Sequence, residues 1–507
     1  MPAAGHTAPS RRPGPASGLG ARNRAAAERA ARPRVGHLQH SVLAETAACV
    51  IPAMAAVALG SPNVATFYFF PVLLVCLAFN TFFKNTVANV ALVLAVMPVA
   101  MILRSLFLYN IILVLLVLVL AGVVLRSRRQ AQLLHRSKVL WLIGATVIYW
   151  SISFWLTGDY SSNLRTLELS LSAAAVLSLT KHREYIASAF LGVFISVFAI
   201  ALGFLGYGDR LGFAVVNGES LGNPITFGEP LALLLLLLMT DGAKWLMLQR
   251  STLIRIIIAG MTGVMLVLST SRGAWLVAAG GLVMLLLFTR RGRTGIIAVL
   301  LVSAIGIGVA LRTNRGGDLR SWATKTFSSE RTLSNRTDGR SQQWMLAPLV
   351  VRSEPLWGFG PGMGSSVYAR YSRLDPSITF QTGRQFFWHA LYLQVVVECG
   401  PIGLLLLLVA LALLFAADIR YWRRTHELMP LIGTLGFILI AVSVSAQDAV
   451  AGMFLGLGMF ALTPIPRPIA RRAVPDTEDA QPELVAPAGQ LASQTLATPR
   501  VPATYWK

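Results

Sequence analysis

Charged residues are scarce in this sequence, and cysteine is scarcer still. Only 13% of the 507 residues are charged and 55% are hydrophobic, whereas roughly a quarter of the residues in soluble domains are charged. The three cysteines, Cys49, Cys76 and Cys399, lie inside apolar segments without the C-x-x-C spacing of a metal or redox site. The composition therefore excludes an ordinary soluble protein, and it predicts neither a zinc site nor a structural disulfide.

Motifs for nucleotides and metals are also missing from the sequence. It contains no P-loop, no nucleotide-binding glycine motif and no metal-ligand cluster such as H-E-x-x-H. The energy for any reaction must then come from the substrate itself or from a gradient across a membrane. We predict no cofactor, no metal and no nucleotide partner.

Basic residues outnumber acidic ones by 44 to 22, which gives a formal net charge of +22. They occur in short clusters between apolar runs, where positive charge keeps a loop on the cytoplasmic side of a membrane. The clusters lie at Arg126 to Lys138, Lys181 to Arg183, Lys244 to Arg255, Arg290 to Arg293, and Arg420 to Arg424. With both termini in the cytoplasm, all of them face it, so this charge predicts a membrane topology and no nucleic-acid partner.

The predicted fold class is an all-α polytopic membrane protein with about twelve to fourteen transmembrane helices and one large external loop. Residues 41–311 hold the first group of transmembrane helices, with spans expected at 106–125, 139–157 and 224–240 among others. Residues 312–388 form the loop, and 389–464 hold the C-terminal transmembrane helices, the first of them expected at 389–417. Residues 1–40 are basic and have no sustained apolar run, and residues 465–507 are rich in Pro, Ala and Thr. Both ends are predicted to be disordered cytoplasmic tails.

The external loop carries ten Arg and one Lys against five acidic residues, which is compatible with its position because long loops escape the positive-inside rule. Its run from Gly358 to Gly364 predicts a turn-rich connection near the membrane surface, with a phosphate cradle as the alternative. The stretch from Trp344 to Val351 predicts a short helix whose length is limited by Pro348.

Only His389 among the seven histidines falls on the external side of the predicted topology. It stands where the loop enters an apolar span, and the near-neutral pKa of histidine suits a general base that acts on a hydroxyl. The alternative is an interfacial histidine that caps a helix end. The other six lie on the cytoplasmic side or its loops: His6, His37, His40, His135, His182 and His426.

Two arginines are candidates for binding an anion. Arg272 lies in Ser269-Thr-Ser-Arg-Gly-Ala-Trp275, between two apolar runs, so its guanidinium sits at or just within the outer membrane boundary. A cation there needs an anionic partner, and a guanidinium binds phosphate through two parallel hydrogen bonds. The alternative is snorkelling to lipid headgroups. Arg340, in Gly339-Arg-Ser-Gln-Gln-Trp344, is not distinguished by charge from the other loop cations.

Four carboxylates fall within or at the edge of predicted spans, where each is a functional candidate: Glu45, Glu168, Glu229 and Glu398. Glu398 lies nine residues beyond His389, about half a helical rotation away, so we interpret it as a structural hydrogen-bonding partner. Arg210 and Asn217, in a short external loop, are weaker candidates for contact with a polar substrate.

Three segments together resemble motifs of the O-antigen ligase and polymerase superfamily. Ser269 to Trp275 resembles its S-x-S-R-G-A stretch. Gly339-Arg340 with Trp344, followed by Pro355-Leu-Trp-Gly-Phe-Gly-Pro-Gly362, resembles its G-R-x-x-x-W and P-L-x-G-x-G-x-G element. His389 with Tyr392-Leu393-Gln394 and Glu398-Cys-Gly-Pro-Ile-Gly403 resembles the H-N-x-Y-L...E-x-G-x-x-G-L element. The resemblance covers about residues 225 to 415, and Ala390 departs from it where the family commonly has Asn.

The resemblance to the O-antigen ligase family implies a GT-C-type membrane fold and glycosyl transfer on the periplasmic face of the bacterial inner membrane, without metal or nucleotide. The implied donor is an undecaprenyl-diphosphate-linked glycan, and the implied acceptor of a ligase is the lipid A-core. By motif position, His389 would be the base, and Arg272 and Arg340 would hold the diphosphate. Weaker candidates for substrate binding are Arg210, Asn217, Tyr392, Gly360 and Gly362.

Three alternatives to the ligase remain open on the sequence. An O-antigen polymerase uses a second lipid-linked glycan as the acceptor. A protein O-oligosaccharyltransferase usually carries a further periplasmic C-terminal region, whereas the chain after Pro464 is short and polar. A transporter places ionisable groups near the membrane midplane and often shows repeated halves, whereas the two halves of this sequence differ.

Overall fold

A computed structural model describes residues 41–83, 85–102, 106–126, 148, 160–179, 182–204, 213–216, 219–222, 224–240, 252–288, 292–312, 320–321, 324, 340–354, 356–360, 362–374, 388–443 and 448–463. The chain divides into two units, 1–463 and 464–507, and every described element belongs to the first. Both predicted tails lie outside the described residues, as does the span predicted at 139–157 apart from residue 148.

Apolar helices make up almost all of the described chain. Before the loop they are α1 (Ser41–Ala58), α2 (Pro62–Phe83), α3 (Thr86–Ile102), α4 (Leu106–Arg126), α5 (Tyr160–Ser178), α6 (Arg183–Gly203), α7 (Pro224–Met239), α8 (Thr252–Leu268), α9 (Arg272–Phe288) and α10 (Gly292–Ala310). The loop holds α11 (Arg340–Ser353) and α12 (Gly364–Ser372), and the C-terminal part holds α13 (Leu391–Thr425), α14 (Met429–Ser443) and α15 (Ala449–Met459), followed by a 3₁₀ turn, Phe460–Leu462.

Four of the described helices are long and apolar enough to cross a membrane by themselves: α1, α2, Glu184–Gly203 within α6, and α13. Shorter apolar stretches of 10–17 residues occur in other described helices, such as Ile111–Val123 within α4. Large hydrophobic side chains point outward from the bundle, such as Phe67 and Phe82 of α2 and Leu405 of α13. The protein is therefore a helical membrane protein, while the total of twelve to fourteen spans stays a prediction.

One antiparallel hairpin interrupts the helical architecture, and the sequence reasoning did not anticipate it. Strand β1 (Phe213–Val216) pairs with β2 (Glu219–Gly222), with Val216 opposite Glu219. The sequence between the strands is Asn-Gly, which is the strongest short-range signal for a two-residue hairpin turn. The described residues are thus all-α apart from this hairpin, which lies in the connection before α7.

Small residues allow the C-terminal helices to approach the first group closely. A Cβ on Gly452 would lie 2.4 Å from the carbonyl oxygen of Leu169, and one on Gly456 would lie 2.8 Å from that of Ala173. The four-residue spacing puts both glycines of α15 on the face that packs against α5. The buried carboxylate of Glu168 also accepts a hydrogen bond from the backbone N–H of Ala449, at 2.6 Å. Glu168 therefore joins the two helices.

The helix predicted at Trp344 to Val351 exists, but the prediction that Pro348 limits its length was wrong. Helix α11 continues for five residues beyond this proline, to Ser353. A proline removes the hydrogen bond to the carbonyl of the residue four positions earlier, which here is Trp344. Both Trp344 and Pro348 lie on the exposed side of α11.

Candidate active site

Helix α13 is broken at Gly400-Pro401, and the glycine-rich part of the loop fills the break. Gly400 has φ 69° and ψ −179°, far from helical values, and Pro401 has no N–H to donate to Val397. The carbonyl of Val397 instead accepts the N–H of Phe359, and that of Glu398 accepts the N–H of Gly360, both at 3.0 Å. The loop therefore replaces hydrogen bonds that the broken helix has lost.

Glycine is required on both sides of this contact. Gly358 has φ 71°, and a Cβ there would lie 2.6 Å from the backbone nitrogen of Gly400. A Cβ on Gly400 would lie 2.1 Å from the carbonyl oxygen of Leu356. The prediction of a turn-rich connection is confirmed for this run as far as Met363, and Gly364 begins α12. Because the N–H groups of Phe359 and Gly360 bond to α13, they do not support the phosphate-cradle alternative.

Glu398 fixes the other end of the same loop segment. Its Oε1 accepts the backbone N–H of Gly364 at 3.1 Å and the side-chain amide of Gln394 at 3.3 Å. The indole of Trp388, fully buried, donates to the carbonyl of Gly364 at 2.9 Å and meets the ring of Tyr368 edge-on. Burial raises the pKa of the Tyr368 hydroxyl, which therefore stays protonated. The interpretation of Glu398 as a structural hydrogen-bonding partner is confirmed.

His389 follows Trp388 directly and is half-buried. Its backbone N–H donates to Oε1 of Gln343 at 2.7 Å, and the Gln343 side chain is only 2% exposed. Gln343 belongs to the first turn of α11, three positions after Arg340, a spacing that places two residues on the same helix face. The first turn of α11, which begins at Arg340, therefore lies beside the segment that carries His389.

Arg272 follows a tight turn between α8 and α9. The Ser269 hydroxyl donates to the carbonyl of Leu266 at 2.7 Å, and the Trp275 indole donates to the same carbonyl at 2.8 Å. Thr270 has φ 54°, an uncommon value for a residue with a side chain. The turn is thus held by its own serine and tryptophan, and α9 begins at Arg272.

Helix α7 packs closely against this turn and brings a buried carboxylate to it. A Cβ on Gly228 would lie 2.7 Å from Cβ of Ser271 and 2.9 Å from that of Ala274. The next residue, Glu229, is fully buried. A buried carboxylate therefore lies on the turn of α7 that contacts the segment preceding Arg272.

Arg272 and Arg340 share a local setting, because each is the first residue of its helix. The N-terminus of a helix presents unpaired N–H groups and a partial positive charge, which attract anions. A cation at this end is unfavourable for the helix itself, so neither arginine is explained by helix stability. Anion binding by the two arginines stays a prediction, with which their places at helix N-termini agree.

An aromatic contact shows which end of α9 lies beside the basic end of α13. The rings of Phe288 and Trp422 meet edge-on at 4.9 Å, so the end of α9 lies beside the last turns of α13, where Arg423 and Arg424 also stand. From Phe288 back to Arg272 the helix rises about 24 Å. Arg272 therefore lies at the end of the bundle away from these basic residues.

The break at Gly400 also redirects the start of α13. Gly280, halfway along α9, packs against Leu439 of α14, and the Tyr392 hydroxyl oxygen lies 3.5 Å from the carbonyl oxygen of Ile438. In a straight helix Tyr392 would stand about 45 Å from Trp422, too far to reach this level of α14. The break at Gly400 therefore turns the first part of α13 back towards α14, and the Tyr392 hydroxyl reaches the level of Gly280, halfway between Phe288 and Arg272.

The structure describes only some of the other residues that were predicted to bind substrate. Arg210 and Asn217 lie outside the described residues, and the side chain of Arg340 does too. Gly360 and Gly362 belong to the turn that docks on α13, with φ values of 98° and 78°. Substrate contacts by Tyr392, Gly360 and Gly362 stay predictions.

The sequence reasoning missed Gln343 and Trp388. Both are buried, and both make hydrogen bonds to residues distant in the chain. Trp388 stands next to His389, but an aromatic residue at a membrane boundary has many roles. For Gln343 the sequence offers one weak signal, its position in the segment that begins with Arg340.

The fold and this arrangement define a helical membrane protein whose candidate site forms where an external loop docks on a broken helix. Residues 256–408, about a third of the chain, match the O-antigen ligase family, and this match supports a protein of that family. The matched segment begins in α8 and ends in α13, so it includes Arg272, Arg340 and His389. Members of the family are glycosyltransferase-like ligases and polymerases. A comparison with curated proteins found no match.

Proposed function

We propose that this protein is an O-antigen ligase, which transfers O-antigen polysaccharide from undecaprenyl diphosphate to the lipid A-core oligosaccharide. The observation that carries this proposal is the hydrogen bond from the backbone of His389 to Gln343, because it holds a base candidate beside the helix that begins at Arg340. The family match supports the same reaction class. The lipid-linked glycan and lipid A-core are the partners that the family implies in general.

In the proposed reaction, a hydroxyl oxygen of the core sugar attacks the anomeric carbon of the donor glycan. A new C–O bond forms as the bond from that carbon to the diphosphate oxygen breaks. The imidazole of His389 takes the hydroxyl proton, and undecaprenyl diphosphate leaves with one additional negative charge. Arg272 and Arg340, at two helix N-termini, stabilise that charge as it develops. The activated diphosphate supplies the driving force, so the proposal needs neither metal nor nucleotide.

The proposal places the site on the periplasmic face of the bacterial inner membrane, with both termini in the cytoplasm and a GT-C-like arrangement of twelve to fourteen helices. Residues 41–311 and 389–464 would hold the membrane helices, and 312–388 the periplasmic loop. The opposite positions of Arg272 and the basic end of α13 support this orientation, because basic residues mark the cytoplasmic side.

We expect Arg272→Lys and Arg340→Lys each to lower kcat by at least about tenfold, because lysine keeps the charge but cannot make two parallel hydrogen bonds to a phosphate. The corresponding alanine variants should lose about 100-fold to 1000-fold. Initial rates of glycan transfer in detergent measure the effect. Arg352→Lys, in the exposed last turn of α11, is the matched control and should leave the rate unchanged. Near-normal rates in both site variants would exclude the paired hydrogen bonds.

Gln343 is proposed as a positioning residue for His389. In Gln343→Leu the backbone N–H of His389 loses its acceptor, and we expect kcat to fall about tenfold to 100-fold through misplacement of the base, with KM nearly unchanged. Gln343→Glu keeps an acceptor oxygen and should restore most of kcat. A purely structural role would instead lower the folded yield of Gln343→Leu without changing the kcat of the folded fraction.

A polymerase acting on the same donor is the second candidate, since the family match covers both activities. The two are separated by offering purified protein a lipid-linked glycan together with lipid A-core. Glycan attached to the core supports the ligase, whereas longer lipid-linked glycans support the polymerase. A protein oligosaccharyltransferase would need a protein acceptor in place of the core. A transporter would form none of these products.

A further inference from the structure

Helix α11 carries hydrophobic residues on both of its sides. The inner side, Gln343, Leu346, Ala347 and Val350, is buried against the rest of the protein. The outer side bears Trp344, Met345, Pro348, Leu349 and Arg352, which follow one another at helical spacing. Trp344 is 49%, Met345 70% and Leu349 47% exposed. A helix that is apolar all round is normally enclosed on every side, so the outer side calls for an apolar partner.

The depth of the loop contact in the membrane identifies that partner. Helix α13 rises about 33 Å from Trp422, beside the basic residues of its last turn, to Gly400, which matches the roughly 30 Å thickness of a bilayer hydrocarbon core. Gly400 therefore lies at the outer edge of the hydrocarbon. The segment that follows α11 docks there, since a Cβ on Gly400 would meet the carbonyl of Leu356.

The side chains around this level have the composition of a membrane interface. Trp357, next to Leu356, is 72% exposed, and Trp344 lies on the outer side of α11. Tryptophans are enriched at the headgroup level of membranes. Below Gly400, the exposed Leu405, Leu406 and Leu408 of α13 continue the apolar surface into the hydrocarbon. Arg352, at the end of the outer side, suits the lipid phosphates.

We propose that the outer side of α11 is an interfacial membrane-binding surface that inserts among the lipids of the leaflet at the external end of the bundle. The surface joins the lipid-facing side of α13 at the Gly400 break, and no second protein is needed to cover it. It would hold the first turn of α11, and with it Gln343 and His389, at the depth of lipid headgroups. The inference depends on α13 crossing the membrane and not on the glycosyl transfer proposed above.

Spin-label accessibility in lipid nanodiscs tests this inference without any substrate. Single labels are placed at Met345→Cys and Leu349→Cys in the full chain with Cys49, Cys76 and Cys399 replaced by alanine. Leu406→Cys is the lipid-facing control, and Ser366→Cys, exposed on α12, is the water-facing control. Collision with oxygen reports lipid, and collision with a water-soluble nickel complex reports solvent. If the cysteine-free chain is not monodisperse, the same labels go into the native chain and its background signal is subtracted.

At positions 345 and 349 we expect an oxygen-to-nickel accessibility ratio within about threefold of the ratio at position 406. The ratio should be at least about tenfold above that at position 366, because water is excluded from the apolar layer. A ratio like that at 366 would overturn the proposal in favour of a water-facing surface. Low collision with both reagents would overturn it in favour of burial against protein, such as a second copy of this chain. Because the experiment measures no turnover, its result can be interpreted even if the transferase proposal fails.

Discussion

Replacement of His389 by alanine should lower the rate of glycan transfer by about 100-fold to 10,000-fold, the range expected when a general base is lost. The acceptor hydroxyl would still bind, so KM for the core should change much less than kcat. His182→Ala is a suitable matched control, since His182 precedes α6 and faces Glu184 at 3.6 Å, in a cluster predicted to be cytoplasmic. It should retain the native rate.

The assay for His389→Ala requires evidence that the variant is folded. The hydrogen bond that holds this segment does not depend on the side chain that is removed. The contact between His389 and Gln343 uses the backbone N–H, and that group remains in alanine. We therefore expect the variant to elute and melt like the native protein. A folded His389→Ala variant with more than about a tenth of native kcat would contradict the role of base.

The second large effect is on stability and falls on Gly400. A methyl group there would lie 2.1 Å from the carbonyl oxygen of Leu356, and the φ and ψ values are ones that only glycine adopts readily. We expect Gly400→Ala to destabilise the protein by at least about 3 kcal/mol through strain and displacement of the loop. The measurement is the apparent Tm and the monodisperse fraction in detergent.

The chain supplies a matched control for that substitution. Outside its own helix, no described residue has an atom within 4 Å of the Cβ position of Gly308 in α10, and Gly308→Ala should be neutral or stabilising by up to about 1 kcal/mol. Gly358→Ala disturbs the same contact from the loop side, so the double variant with Gly400→Ala should be little worse than either single one. If Gly400→Ala melts like Gly308→Ala, the docking of the loop on the break is wrong.

The positions of the helices could be predicted closely from apolar runs. A span expected at 106–125 is observed as Leu106–Arg126, and one expected at 224–240 as Pro224–Met239, because the membrane imposes long uninterrupted hydrophobicity on each helix. The hairpin at 213–222 was missed although its Asn-Gly signal is local. It escaped because its short strands resemble a loop when only hydrophobic runs are considered.

The break in α13 was only partly visible in the sequence. Gly400-Pro401 lies within the span predicted at 389–417, and its apolar neighbours concealed the interruption. The function of the break could not be predicted, since its hydrogen bonds go to Phe359 and Gly360, about forty positions earlier in the chain. Gly358 shows the same limit of sequence-based prediction. The turn that contains it was predicted, but its contact with Gly400 was not.

The candidate site could be predicted residue by residue, but its assembly could not. Arg272 and His389 stood out because ionisable residues are rare near membrane spans. Arg340 had no such distinction among the loop cations, and only its family motif singled it out. Gln343, which connects the first turn of α11 to His389, acts through a tertiary contact that spans 46 positions. Such contacts depend on how the loop folds back on the bundle.

We propose that this protein itself transfers a glycan from a lipid diphosphate. The most direct measurement incubates the purified native protein with an undecaprenyl-diphosphate-linked glycan and lipid A-core, with EDTA and without nucleotide. Both the glycan on the core and the released undecaprenyl diphosphate are then quantified. We expect equal amounts of the two products. An unmodified core and intact lipid-linked donor, with substrates that a characterised ligase converts in parallel, would contradict it.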